Sequence, residues 1–317
     1  MLGHCWLLLV PHTRLGEILT VTGFQREFRR RFVKLLSGSD NGKPPWLEVV
    51  AEGDQPGLYL PTDAPWIVHR DFATLVGGIR ALLVQALHPG SLGGVAQHSR
   101  YKEEPLGRLA GTIRWLTVTT FGSHEAIAGE AGRVNGMHDR VKGKYNTNQG
   151  EHRSYKAADR DLLMWVHVAF MESFLRTHQF YSSTAIPGGA DNYIAQWSKA
   201  VEPLGLTDVP MNEQELIQTM DSFWPELRRD EKTDSVISFI KNPPLPAATK
   251  PFYNLFFQAA VTSLPANYAK LLDMKQAPVS AIRPVTKSVL RGMRLGVGPE
   301  SPIENAAIER LRRAGAI

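Results

Sequence analysis

The chain has one cysteine, Cys5, in 317 residues. That excludes an internal disulfide framework and any zinc or iron–sulfur centre built on thiolates. It suits a reducing compartment, and a cytoplasmic location is the expectation. Long hydrophobic runs are also missing. From Met1 to Val10 the apolar stretch is about six residues and lacks a preceding basic region, so it reads as a poor signal peptide. The other notable run, Leu82 to Leu87, follows Arg80 and contains Gln85. No transmembrane span is expected. Charge of one sign is scarce too: the net charge is +5. This is too mild for a nucleic-acid footprint, and no nucleic-acid partner is expected. The densest basic run, Arg26 to Arg31 with Lys34, includes Glu27 and reads as a solvated helix face. Several catalytic signatures are absent: a Gly-rich phosphate loop after a strand, a Gly-x-Ser-x-Gly elbow, His-Glu-x-x-His, and the Glu-x-x-His pairs of a di-iron bundle.

What is present is helical periodicity. Leu15–Leu36 reads as an amphipathic helix, and residues 36–65 as a Gly/Pro/Ser/Asp-rich loop with a short extended piece at Trp46–Val50. Asp71 can cap a helix running to about Leu87, stopped by Pro89 and Gly90. Helices follow at about Leu106–Phe121, from a Ser123 cap to about Lys142, and from an Asp159 cap to about Tyr181, with a polar loop at 144–158. The stretch from Leu162 to Met171 is apolar all round and should be a buried central helix. Further helices are expected at 190–204, 212–224, 232–241, 252–271 and 301–314. The pattern predicts an all-α fold forming one domain over 1–317, with an N-terminal helix and loop at 15–60, a core at 61–245 and C-terminal helices at 246–317 packing on it.

Two histidines sit on core-facing positions. At 100° per residue, Ile127, Ala131, Val134, His138 and Val141 share one stripe, while Gly129, Gly132 and Gly136 lie opposite. Three helical glycines cost roughly 1 kcal/mol each relative to alanine; close approach of another helix or a flat ligand would offset that. His167 falls midway along the most apolar helix. Each is either a core histidine satisfied by a hydrogen bond or a ligand-facing imidazole. Arg108 and Thr112, one turn apart, place a cation beside a hydroxyl, suited to a carboxylate-bearing ligand or an oxygen species, or to a decorated helix surface. His88 ends a helix where a cation is favoured, His98 lies in the following loop, and His124, His152 and His178 read as surface residues. Single histidines in apolar surroundings fit a haem pocket better than a carboxylate-rich metal centre.

Specific strings sharpen this. Val76-Gly-Gly-Ile-Arg-Ala-Leu-Leu-Val-Gln-Ala-Leu-His-Pro89, Gly94-Val-Ala-Gln-His-Ser99, Arg108-x-x-x-Thr112, Thr119-Thr-Phe-Gly122, Val134-Asn-Gly-Met-His138, Tyr155-x-Ala157 and Leu162-Leu-x-Trp-Val-His167 occur in order over about residues 60–245. Together they resemble the DUF2236 family, which includes the rubber oxygenases and mycophenolic-acid-pathway oxygenases. The resemblance implies an all-α fold with a globin-like core, haem b as cofactor, and oxygenase chemistry with O2 or peroxide on an apolar small molecule. It places His138 as the axial metal ligand, His167 in the cofactor pocket, and Arg108 with Thr112 beside the haem. The sequence departs from the rubber oxygenases in having Gly111 where they can carry a lysine ligand, Asn135 in place of an arginine, and no match for a proposed glutamate base. Haem binding therefore carries over better than polyisoprene cleavage. A haem-binding or sensing protein without turnover, and a cofactor-free helical lipid-binding protein, remain the alternatives.

Overall fold

The computed structural model describes residues 23–98, 105–148, 150–298 and 301–317; the side chains of residues 94–98 and 105–109 lie outside that description. The protein is 67% helical, with fifteen helices and one two-stranded sheet among the described residues. It is an all-α fold.

Helix α1 (Gly23–Ser37) carries its basic residues outward. The expected loop at 36–65 contains helix α2 (Leu47–Ala51) and the start of α3 (Ala64–His69). Trp46–Val50 is helical rather than extended. A strand would place Glu48 on the buried face with Trp46 and Val50; an α-turn brings Trp46 and Val50 together and leaves Glu48 exposed. Helix α4 (Ala73–Gln85) has Phe72 rather than Asp71 at its N-cap; Asp71, one residue earlier, accepts from the Ala73 amide through Oδ1 at 2.8 Å. Pro89 and Gly90 do not simply terminate it. They open α5 (Pro89–His98), because proline fits a first helical turn and the His88 ring Nδ1 accepts from the Gly90 amide at 3.1 Å.

Helices α6 (Pro105–Phe121) and α7 (His124–His138) follow, with Ser123 capping α7 through the Ala126 amide at 3.1 Å. α7 ends at His138, short of the expected Lys142, and the expected polar loop is an antiparallel hairpin of β1 (Lys142–Asn146) and β2 (His152–Lys156). Each strand buries a single side chain, Tyr145 and Tyr155, and those rings pack together with centroids 6.1 Å apart.

Helix α8 (Arg160–Tyr181) is the buried central helix. Its long face lies on α4. Gly77 makes that approach possible: a Cβ there would sit 2.7 Å from both Phe174 Cδ1 and Thr177 Oγ1. Buried Arg80 reaches across to Glu172, with a 2.8 Å bond from Nη2 and another from Nη1, and to Ser173 Oγ at 2.9 Å. α9 (Gly189–Trp197) runs into a 3₁₀ turn at Ser198–Leu204, followed by α10 (Glu213–Ser222), α11 (Glu231–Lys241), α12 (Lys250–Thr262) and α13 (Ala266–Leu271). α12 packs on α4. The sequence reading had no helix at α14 (Val279–Val297), which spans Pro284 and packs between α1 and α12. α15 (Pro302–Arg313) returns to α2, where buried Arg310 donates to the carbonyls of Val50 and Phe121, each at 2.8 Å. One apolar cluster runs from Trp46 to Leu311 through these elements.

Candidate functional site

Helices α6 and α7 are joined by Gly122 and Ser123. A Cβ at Gly122 would lie 2.5 Å from the Val118 carbonyl, so this turn needs glycine. Across the pair, Arg114 Nε of α6 donates to Glu130 Oε2 of α7 at 2.8 Å, and Arg133 Nη2 donates to Glu130 Oε1 at 2.6 Å. Glu130 is only 2% exposed, so this ion pair fixes the register of the two helices. Two turns beyond it, about 10 Å along each axis, lie residues 107–108 of α6 and 137–138 of α7. Arg108, Gly111 and Thr112 lie on α6 on the side of Arg114 away from the Gly122–Ser123 turn, and His138 lies at the corresponding far end of α7. Thr112 is half-buried. The Arg108 backbone lies in α6, and its side chain lies outside the described residues.

On α7, Ile127, Ala131 and Val134 are buried, as the stripe predicted, and His138 is half-buried at its end. Burial pushes the His138 pKa below that of an ordinary imidazole, against the opposing charge of Asp139. Its Nδ1 is buried without a hydrogen-bond partner among the described residues. The option of a core histidine tied to a carbonyl is thus not what the structure contains. Nor is the expected packing of a helix on the glycine face: a Cβ at Gly129, Gly132 or Gly136 would meet nothing within 4 Å, and all three are exposed. The glycines point away from the core side of α7. Gly111 likewise has open space around it.

His167 is 5% exposed on α8, in line with Phe174 and His178 seven and eleven residues further along the helix. Its Nε2 is buried without a partner among the described residues. Burial lowers its pKa to about 3, so the ring is neutral. Among the described residues no hydrogen bond or ring contact joins His167 to His138.

The other histidines differ in how far their nitrogens are answered, and His178 Nδ1, like His138 Nδ1 and His167 Nε2, is buried without a partner among the described residues. His69, passed over in the sequence, is buried and fully satisfied: Nδ1 pairs with Thr120 Oγ1 at 2.8 Å and Nε2 with the Tyr193 hydroxyl at 3.0 Å. Its position after Trp66-Ile67-Val68 was the available signal. Burial, and then the nearby His178, lower its pKa to about 3. His178 is buried rather than superficial, with Nε2 on the Thr184 carbonyl at 2.8 Å. His88 is not a helix-terminal cation. Burial, then Arg153, lowers its pKa to about 4, leaving the neutral ring to cap α5. His124 and His152 are exposed as expected; the His98 side chain lies outside the described residues. Among the described residues no three His, Cys, Asp or Glu side chains converge as a metal site. A solvent-open cleft of about 370 Å³ between Asp208 and Ser222 contains none of the candidate residues.

The sequence profile of the family described as "ER-bound oxygenase mpaB/B'/Rubber oxygenase, catalytic domain" matches residues 66–296. The chain belongs to this oxygenase family. The matched region continues past residue 245 through α12, α13 and nearly all of α14. No curated protein and no solved structure matches the chain significantly. No helix among the described residues is long and apolar enough to cross a membrane.

Proposed function

We propose that this protein is a haem b-dependent oxygenase acting on an apolar small molecule with O2 or peroxide. The observation that carries the reading is His138, a neutral-leaning imidazole at the end of the buried stripe of α7, with a buried Nδ1 that has no partner among the described residues. A buried polar nitrogen left unpaired costs about 1–3 kcal/mol, and a prosthetic group that engages this ring would offset that cost. The donor set fits haem: one available imidazole on α7, apolar Val134 beside it, and a side-chain-free position at Gly111 on the facing helix. His138 would hold the metal, and His167 would line the cofactor pocket or help to fix the ring. Haem b, when bound, supplies the redox centre that activates the oxidant.

The chain's own groups would do the rest. Arg108 would provide a permanent cation for a cofactor carboxylate or for negative charge developing on the oxidant, and Thr112 a hydroxyl donor beside it. Glu130 would keep α6 and α7 at fixed separation by holding Arg114 and Arg133. Gly111 would leave the α6 side without a competing ligand. Apolar side chains around His167 would exclude water from an apolar substrate.

An absorption spectrum of purified protein tests this. A Soret band with a b-type pyridine haemochrome is expected; a colourless protein that takes up no added haemin overturns it. The partnerless Nε2 of His167 favours one second reading, haem binding without turnover. That reading requires a low-spin spectrum with both axial positions filled and no oxygen consumption with any apolar substrate.

A further inference from the structure

Charge is segregated on this fold. Helix α1 holds five cations and one acid, and α14 holds four cations and no acid, a net of eight positive charges against five for the whole chain. Everything outside these two helices is therefore net acidic. On α14 the cations Arg283, Lys287, Arg291 and Arg294 fall within about 80° of one another around the axis. Arg283 is engaged by the Phe180 carbonyl at 2.8 Å, but no carboxylate among the described residues pairs with Lys287, Arg291 or Arg294.

The two helices meet where apolar side chains also face water. Gln25 Nε2 of α1 donates to the Leu295 carbonyl of α14 at 3.0 Å, and Arg29 donates to the Val297 carbonyl. At that junction Phe24 is 73% exposed and Leu295 67% exposed. A mere solvated basic face does not need two large apolar groups standing out of it.

We infer that the α1–α14 face docks the protein peripherally onto anionic lipid bilayers, with Phe24 and Leu295 entering the interface and the α14 cations facing lipid phosphates and carboxylates. A bilayer surface supplies both an apolar layer and negative charge. The 22 residues that precede Gly23 could cover the apolar pair, being apolar from Trp6 to Val10. They hold only Arg14 and Glu17, however, and so cannot neutralise the stripe. A second copy of the chain would bring a second positive face and repel. A nucleic acid would match the charge but leave the apolar pair unused.

The test is co-sedimentation of the purified full chain with vesicles of phosphatidylcholine alone and of phosphatidylcholine with phosphatidylserine. Binding should require phosphatidylserine and fall steeply as salt rises to about 0.5 M. Each cation near such a surface is worth about a fivefold change in affinity, so the Arg291→Gln, Arg294→Gln double variant should bind about tenfold or more weakly with an unchanged melting profile. Leu295→Ser should weaken the binding that survives at high salt. Equal binding to neutral vesicles, or a double variant that binds like the parent, overturns the proposal. So does retention on a DNA duplex without vesicle binding, or a dimer abolished by Leu295→Ser without vesicle binding. None of these readouts depends on haem.

Discussion

The α4–α8 pair and the α6–α7 pair are both antiparallel helix contacts, yet they are built in opposite ways. Between α4 and α8 the close approach is used: Gly77 is filled by Phe174 and Thr177, and Arg80 is answered by Glu172, Ser173 and the Ser263 carbonyl. Between α6 and α7 the ion pair at Glu130 sets the register, and beyond it side chains are left unanswered: His138 Nδ1 without a partner, Gly111 without a neighbour. The Arg80 contact answers its charges internally and is specified for stability, although α4 and α8 also carry Gln85 Nε2, His167 Nε2 and His178 Nδ1 buried without a partner among the described residues. A contact that leaves buried polar groups open keeps them for something that arrives later.

The largest expected effect breaks the first region. Glu172→Ala strands the buried Arg80 guanidinium, and removing one partner of a buried pair costs about 3–5 kcal/mol. Urea denaturation should show that loss, while the Arg80→Met, Glu172→Leu double variant should recover much of it. A loss under about 1 kcal/mol for Glu172→Ala would mean that the pair is not a keystone of the α4–α8 contact.

Acid should act on the buried neutral histidines of α3 and α8 and of the turn after α4. His69 and His167 are held neutral with pKa values lowered to about 3, and His88 to about 4, in each case chiefly by burial. Unfolded imidazoles titrate near 6.5, so between about pH 6.5 and 4 the unfolded chain binds more protons than the folded one. The stability these rings contribute is complete above about pH 6.5 and is lost as pH falls toward 4 and 3. Each contributes a slope of about 1.4 kcal/mol per pH unit. Replacing His88 by glutamine should flatten the fall in denaturation midpoint between pH 7 and 5; an unchanged slope would remove His88 from the set.

The open imidazoles of α7 and α8 are probed by substitution. His138→Ala should lose most bound haem while retaining its helical circular dichroism, because only one half-buried ring is removed. His167→Ala should retain more haem but lose about 2 kcal/mol or more of stability, since it opens a cavity in the buried central helix. Haem titration of both variants, with denaturation alongside, reverses the assignments if His167→Ala empties the site and His138→Ala does not.

Much of this contrast was legible in the sequence, though unevenly. Helices with strong 3.6-residue periodicity and clear caps, such as the one after Ser123, were predictable because both signals are local. The stripe from Ile127 to His138 followed from the same periodicity. The β1–β2 hairpin was not legible, because each strand buries only one tyrosine among charged neighbours and no alternation is visible. Helix α14 was obscured by Pro284, although Ile282, Thr286, Leu290, Met293 and Val297 trace its inner face. The Arg80–Glu172 and Arg114–Glu130 pairs join residues 92 and 16 positions apart, and no local pattern announces a partner at such a distance. The same holds for His69 with Thr120 and Tyr193. Which imidazoles are satisfied and which are left open depends on tertiary neighbours, so composition and spacing could nominate His138 and His167 but could not separate them from the fully satisfied His69.

The smallest effect gives the sharpest comparison, because one substitution changes sign between the two regions. Alanine is favoured over glycine inside a helix by about 1 kcal/mol. At Gly77 that gain is overwhelmed, since the new methyl would sit 2.7 Å from Phe174 and Thr177, and packed cores resist added volume by about 1–3 kcal/mol. At Gly129 and Gly132 the methyl meets nothing within 4 Å, so Gly129→Ala and Gly132→Ala should each stabilise by up to about 1 kcal/mol. Melting temperature and haem content together then decide what the bare face of α7 is for. If stability rises and haem affinity stays constant, the glycines are tolerated by an exposed helix and have no part in the site. If stability rises while haem affinity falls, the face is kept free of side chains because a flat ligand or a substrate must lie against it, and α7 gives up helical stability to keep that surface smooth.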